Sequence, residues 1–356
     1  MKKSETPFII PIFIPQQGCR HQCVFCNQAA ITGHPTRWPS LNKLRLEAEK
    51  YLGYNNRHRP SVIAFYGGNF LGLPQEKSND LLTLADDFIC KGKIQSIRFS
   101  TRPDTVSEEK LQALEKFSVT EIELGVQSMD DQVLNNCRRG HCALDTRNAV
   151  KLLKEWNCKI GLQLMIGLPG QSEKSAFDTA KQVAELAPDF VRIYPAVVFN
   201  QSILANWYRQ GKYRPLSLKE AVYQAKNIYL HFKKYDIPVI RMGLQSSREF
   251  ADKNTVLAGP YHPAFGHLVL SEIFMDTMCG FFKNTSAGSG QLKIAANPKC
   301  ISQVRGIGNQ NIRKLENDFK FDEIRIVSDP KLPRQGLSIN HKWIDMPFCL
   351  RETQKV

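Results

Sequence analysis

The chain has 356 residues, 42% of them hydrophobic, which is enough to bury a sizeable core and excludes wholesale disorder. No apolar run approaches the ~20 residues a bilayer crossing needs, and the longest one near the start, Phe8–Pro15, is short and broken by prolines, unlike a secretory signal. The expected location is therefore the cytoplasm, with no membrane partner. A net charge of +14, from 48 Lys+Arg against 34 Asp+Glu, permits attraction to phosphate-rich partners such as RNA; the charges are spread along the chain, so a solvated basic surface accounts for them equally well.

In chain order, apolar strand-like runs recur at Phe8–Ile14, Val62–Tyr66, Ser96–Ser100, Glu121–Val126, Lys159–Ile166 and Phe190–Val197. Helical patterns lie between them: Leu81–Phe88, a helix opened by the N-cap Ser107 with Glu108 and Glu109 in its first turn, Asp145–Trp156 and Ser172–Leu186. Alternation at this spacing implies parallel strands joined by crossover helices. Six such units with strands apolar on both faces predict an α/β fold, a partial (β/α)6 TIM-type barrel; a doubly wound sheet is the alternative. The distinctive residues fall at the C-terminal strand ends, where barrels place their chemistry, and this favours the barrel. Further on come Leu204–Gly211, a longer helix Ser217–Lys234, a strand-like Val239–Gly243, and an ordered turn at Ala258–Phe265 holding His262. Asn284–Gly290 is a Ser/Gly-rich linker candidate. After it, strand Leu292–Ala295, helix Asn309–Phe319 and strand Glu323–Val327 make a small α+β appendage. The expected division is 1–283 for the core with its helical extension and 284–356 for the appendage.

Of the ten cysteines, three lie within eight residues, in Gly18–Cys–Arg–His–Gln–Cys–Val–Phe–Cys26 directly after the first strand. With no export signal a disulfide framework is not expected, and the clustered three call for a metal or redox explanation. The spacing is CxxxCxxC with Phe25 before the last cysteine. Three thiolates on one short loop can hold three corners of a cubane iron–sulfur cluster and leave one iron open. The competing reading is zinc, whose closed sites take four ligands; His21 or His34 would have to supply the fourth.

This loop resembles the signature of the radical S-adenosylmethionine (SAM) superfamily. The resemblance implies that Cys19, Cys23 and Cys26 bind a 4Fe–4S cluster, that SAM chelates the fourth iron, and that reduction of the cluster splits SAM to a 5′-deoxyadenosyl radical. It also implies an electron donor such as flavodoxin or ferredoxin. The stations downstream agree: Phe65–Tyr–Gly–Gly–Asn69, Ser100–Thr–Arg–Pro–Asp104, Glu123–Leu–Gly–Val–Gln–Ser128, Arg138–Arg–Gly–His141, Gly161–Leu–Gln–Leu–Met–Ile–Gly–Leu–Pro–Gly170 and Val191–Arg–Ile–Tyr–Pro195. Each alone is turn and packing chemistry; together and in order they are specific. Gly67 and Gly68 resemble the family motif for the SAM amino group, although the common form has Glu where this chain has Asn69.

The string is similar to the branch holding the elongator catalytic subunit, a tRNA wobble-uridine modifier, and more distantly to oxygen-independent coproporphyrinogen oxidases and methylthiotransferases. Residues 8 to 245 match in order. By that resemblance Phe25, Gln127, Arg139 and Gln163 line the SAM pocket, Gly167 backs the adenine, and Arg102 and Arg192 meet the SAM carboxylate or a substrate phosphate, against a surface salt-bridge role for each arginine. tRNA is the leading substrate class. A porphyrinogen or small metabolite is the alternative, and a non-enzymatic zinc- or cluster-stabilised RNA-binding module is the third. The loop Arg305–Gly–Ile–Gly–Asn–Gln310 begins like an acetyl-CoA loop but carries Gln310 where a small residue is required, so acetyl-CoA chemistry is not expected.

Overall fold

The computed structural model describes residues 7–28, 38–55, 59–245, 255–284 and 290–345. The basic start Met1–Lys3, His34, Cys349 and most of the expected linker, residues 285–289, lie outside the described residues.

Seven parallel strands form the main sheet, in the order β1 (Phe8–Phe13), β2 (Ser61–Tyr66), β3 (Ser96–Thr101), β4 (Val119–Gln127), β5 (Lys159–Ile166), β6 (Phe190–Pro195) and β8 (Val239–Met242). Each pair of neighbours is joined by a crossover, so the sheet is an open barrel wall of the α/β class, with β1 and β8 as its edges. The six strands expected from hydrophobic runs are the first six, and Val239–Gly243 supplies the seventh. Pro11 lies inside β1, and an edge strand tolerates a residue with no ladder donor. Two short strands, β7 (Val198–Phe199) and β9 (Val256–Ala258), pair antiparallel beside it.

The crossover helices start where the sequence chemistry places them. Ser107 accepts from the Lys110 N–H at 3.3 Å, and Ser172 from the Ser175 N–H at 3.1 Å. Ser217 and Glu220 form a reciprocal capping box at the head of helix Leu218–Lys234. Helix Leu41–Gly53 is capped by Ser40, and its sequence carries a weak apolar stripe with only Leu44 and Ala48 buried. That sparseness left it unread from periodicity.

The chain divides into two compact units, Met1–Ala221 with His231–Tyr261, and Val222–Leu230 with His262–Val356. The sequence reading set the division at 283/284; the helix Phe265–Asn284 clusters instead with the residues that follow it. It packs against helices Ile301–Arg305 and Gln310–Phe319. Phe282 meets the rings of Phe319 and Phe321 at 5.2 and 5.0 Å. The second unit's sheet runs β11 (Phe321–Ser328), β10 (Gly290–Ala296), β12 (Gly336–Ile339), β13 (Lys342–Asp345), parallel between β10 and β11 and antiparallel elsewhere. At its centre Asn311 donates to the Ser271 and Val304 carbonyls at 3.1 and 3.2 Å.

Phe274 is 1% exposed on the 265–284 helix. Phe274→Ala is expected to destabilise the protein by about 3–5 kcal/mol, through lost transfer energy and the cavity left behind. Urea unfolding followed by circular dichroism measures the loss.

Candidate active site at the cysteine loop

The loop that leaves β1 is held at several points by backbone. Ile14 and Gln16 donate to the carbonyls of Tyr66 and Gly67 at 2.8 and 2.7 Å. The Val24 N–H donates to the Cys137 carbonyl at 3.1 Å, and the Leu204 N–H donates to the Val24 carbonyl at 2.8 Å. Val24 is fully buried in an apolar cluster with Val133, Cys137, Leu168 and Tyr213, and Phe25 packs against that cluster. Phe25 thus anchors the loop by packing.

Cys19 is exposed, Cys26 half-buried and Cys23 buried. The thiols sense one another. Burial, then the neighbouring Cys23, raises the Cys19 thiol, and burial followed by Cys23 and Cys19 pushes Cys26 up to about 12. Thiols raised in this way keep their protons until a centre binds, so this donor set fits a cationic centre that would offset the charge of the thiolates it holds. Among the described residues no three of His, Cys, Asp and Glu stand close enough to hold a single metal ion. A cubane makes a different demand, since each thiolate takes its own iron.

The strand ends surround this loop with polar groups. Arg139 donates from Nη1 to Cys23 Sγ at 3.0 Å and from Nη2 to the Gly125 carbonyl at 2.5 Å. Gln163, on β5, reaches Gln127 Oε1 at 3.4 Å, and Gln127 itself holds a left-handed backbone with φ of 68°. Arg139 therefore lies beside Cys23, and Gln127 and Gln163 meet across neighbouring strands. Gly67, with φ of 86°, turns the chain at the end of β2. Gly167, with φ of 74°, lies under Leu216, 2.8 Å from where a Cβ would stand, and its carbonyl accepts from the Tyr213 hydroxyl at 2.6 Å.

Of the two remaining arginines Arg102 is buried and Arg192 half-buried, and neither makes a surface salt bridge. Arg102 grips Asp104 at 2.9 and 3.1 Å and bonds the Arg139 carbonyl; its Nη1, like Arg139 Nε, is buried without a partner. Such orphaned donors fit an anionic ligand at this place. Arg192 is spent on Glu123, at 2.7 Å from Nε to Oε2, and lies 3.3 Å from the Tyr194 hydroxyl. Arg98 completes this cluster by bonding Glu121 at 2.8 Å and Glu123. The Arg192 position is thus an ion pair inside the sheet. The cluster could have been read from the charges at Arg98, Glu121, Glu123 and Arg192, which alternate with apolar residues along their strands. His262 accepts from the Ala264 N–H at 3.0 Å, as a turn residue does.

Residues 13–183 match the Radical SAM superfamily, and residues 188–274 match the Radical_SAM C-terminal domain. The chain belongs to the radical SAM superfamily. Superfamily members carry a 4Fe–4S cluster and bind SAM, and the cysteine loop and its orphaned donors fit both. The tRNA uridine(34) acetyltransferase of Methanocaldococcus infernus is 35% identical over 135 residues, which cover 37% of this chain and 25% of that protein. The chain spans about a quarter of the length of the tRNA uridine(34) acetyltransferases it matches. The heme chaperone HemW of Bacillus subtilis is 24% identical over 246 residues, 68% of this chain and 62% of that one. The solved archaeal Elp3 of Methanocaldococcus infernus, lacking its N-terminus, superposes with a TM-score of 0.58 at 21% identity, covering 75% of this chain and 63% of that chain. That likeness bears on the fold alone. No helix among the described residues is long and apolar enough to cross a membrane.

His141, two residues after Arg139, is buried; burial, then the Arg139 and Arg102 charges, pushes it down to about 3. The folded state therefore holds it neutral where the unfolded chain, with a pKa of about 6.5, takes a proton. Between these values the unfolded chain binds more protons, so stability must fall as pH falls. Relative to His141→Leu, the metal-free protein is expected to lose up to about 1.4 kcal/mol per pH unit below pH 6 and nothing above pH 7.5. Urea unfolding of both proteins at a series of pH values measures that difference.

Proposed function

We propose that this protein is a radical SAM enzyme that modifies tRNA. The observation that carries the reading is the loop bearing Cys19, Cys23 and Cys26, at the C-terminal edge of a parallel sheet, with Arg139 on the middle thiol. Cys19, Cys23 and Cys26 would hold the cluster, and Gly67, Gly68, Gln127, Arg139, Gln163, Gly167 and Arg102 would surround SAM. The bound group supplies a 5′-deoxyadenosyl radical that abstracts a substrate hydrogen. The chain's own part is to orient: Val24 and Phe25 fix the loop by packing, and the orphaned donors of Arg102 and Arg139 receive an anionic group. Arg192 is reserved for the Glu123 ion pair, which stiffens the sheet beneath the site.

The tRNA part is supported by the 35% identity to tRNA uridine(34) acetyltransferases and by the net charge of +14. Acetyl transfer is left out, because Gln310 stands where an acetyl-CoA loop needs a small residue. The remaining parts of the reading are a cytoplasmic location and reduction by a small electron carrier such as flavodoxin or ferredoxin.

Anaerobic reconstitution is expected to give brown protein with about four irons per chain, and dithionite with SAM to release 5′-deoxyadenosine. Cys19→Ala, Cys23→Ala and Cys26→Ala should each abolish both. A colourless, zinc-loaded protein would refute the enzyme reading. Binding of tRNA is expected to weaken about tenfold or more between 50 and 200 mM salt, by counterion release, as read in a filter-binding assay. Loss of the tRNA interaction at every salt concentration, with SAM cleavage intact, would point instead to a porphyrinogen or small metabolite. Comparing modified nucleosides between a deletion strain and its parent identifies the base.

A further inference from the structure

The residue after the paired glycines, where the family commonly carries a SAM-binding Glu, has its side-chain oxygen fully engaged within the chain. Asn69 is 1% exposed. Its Oδ1 accepts from the Arg102 N–H at 3.0 Å and lies 2.8 Å from the hydroxyls of both Thr101 and Thr105. An amide oxygen offers two lone pairs, so this one is saturated. Its Nδ2 donates to the Gly18 carbonyl at 3.0 Å. Its backbone N–H donates to the Gln17 carbonyl at 2.8 Å, and its own carbonyl accepts from the Gly72 N–H at 3.0 Å.

The packing around it has no slack. A Cβ at Gly18 would stand 2.2 Å from the Asn69 carbonyl oxygen, and one at Gly72 would stand 2.2 Å from Nδ2. A Cβ at Gly68 would stand 2.6 Å from the carbonyls of both Ile14 and Gln17. The glycine pair thus lies directly on the start of the cysteine loop.

A second path closes the arrangement. Asn69 holds the Arg102 backbone, the Arg102 guanidinium bonds the Arg139 carbonyl, and Arg139 Nη1 donates to Cys23 Sγ at 3.0 Å. The loop is therefore gripped at Gly18, next to Cys19, and again at Cys23, through one connected set of bonds. The geometry points to Asn69 as a positioning residue for the cluster ligands, one that fixes the separation of Cys19 from Cys23 and makes no contact with the SAM amino group. Only an amide serves here. A carboxylate has no donor for the Gly18 carbonyl and would oppose it lone pair to lone pair. A glutamate would also need room that the close contact to Gly72 denies.

Asn69→Asp in the full chain tests this, because it keeps the shape and the acceptor while removing the donor. In the metal-free protein, amides in residues 14–28 should exchange hydrogen about tenfold faster, with amides of β10 and β12 unchanged. After anaerobic reconstitution the iron bound per chain should fall about threefold or more, and the electron paramagnetic resonance signal of the reduced cluster that does form should shift. Normalised to assembled cluster, the KM for SAM in 5′-deoxyadenosine release should stay within about twofold of the parent. Normal iron content with a KM for SAM altered about tenfold in either direction would make Asn69 a SAM ligand and overturn the proposal. Unchanged exchange and unchanged iron would overturn it as well. Should circular dichroism show that Asn69→Asp does not fold, Thr105→Val, which removes one hydroxyl from Oδ1 and keeps the amide, is read by the same measurements with smaller shifts expected. No tRNA enters the experiment, so its failure is distinct from failure of the tRNA reading.

Discussion

Three thiols on one eight-residue loop, each of which must give up its proton to hold a metal centre, are the constraint around which the first unit is arranged. Burial and mutual charge push Cys26 up to about 12 in the metal-free chain. A loop left to itself would spread and separate the three sulfurs. Here it is fastened by β2 at its start, by the Cys137 carbonyl in its middle, and by the Leu204 N–H near its end. Arg139 adds a charged donor to the most buried thiol. The sulfurs are thus held near one another by the fold, where a cationic centre can take them as thiolates.

The same economy governs the wall of the sheet. Parallel strands covered by helices are expected to be apolar on both faces. In this sheet one face carries Arg98, Glu121, Glu123 and Arg192, joined in one polar network. A buried arginine–glutamate set is weak evidence for stability, because desolvation offsets most of the Coulomb gain. Its value is geometric: it fixes the relation of β3, β4 and β6, on which Arg102, Gln127 and Arg139 depend. Tyr66, pushed up to about 12 by burial and then by Glu123, stays neutral beside it.

Much of the first unit was legible because its signals are local and strong. Six apolar runs at crossover spacing mark parallel strands, and CxxxCxxC after the first strand marks the loop. The helix Phe265–Asn284 was not legible. It is apolar nearly all round, with Phe265, Val269, Ile273, Phe274 and Met278 buried, so it lacks the polar stripe that reveals a helix. The hairpin of β12 and β13 escaped because each strand has only four residues, and the turn between them, Asn340–His341, takes positive φ without glycine.

From the sequence alone came the class of fold, the three clustered cysteines and the order of the strand-end stations, since each depends on residue type and spacing along the chain. Only the tertiary structure decided what the polar residues do. Arg102 and Arg192 carry the same guanidinium, yet one follows β3 and bonds Asp104 and the Arg139 carbonyl beside the cysteines, and the other lies within β6 and pairs with Glu123. Asn69 sits where a SAM contact is expected, yet its amide is filled by Gly18, Arg102 and two threonines. A hydrogen-bonding group is defined by the partners that reach it first. Those partners lie on other strands, at separations no local pattern records.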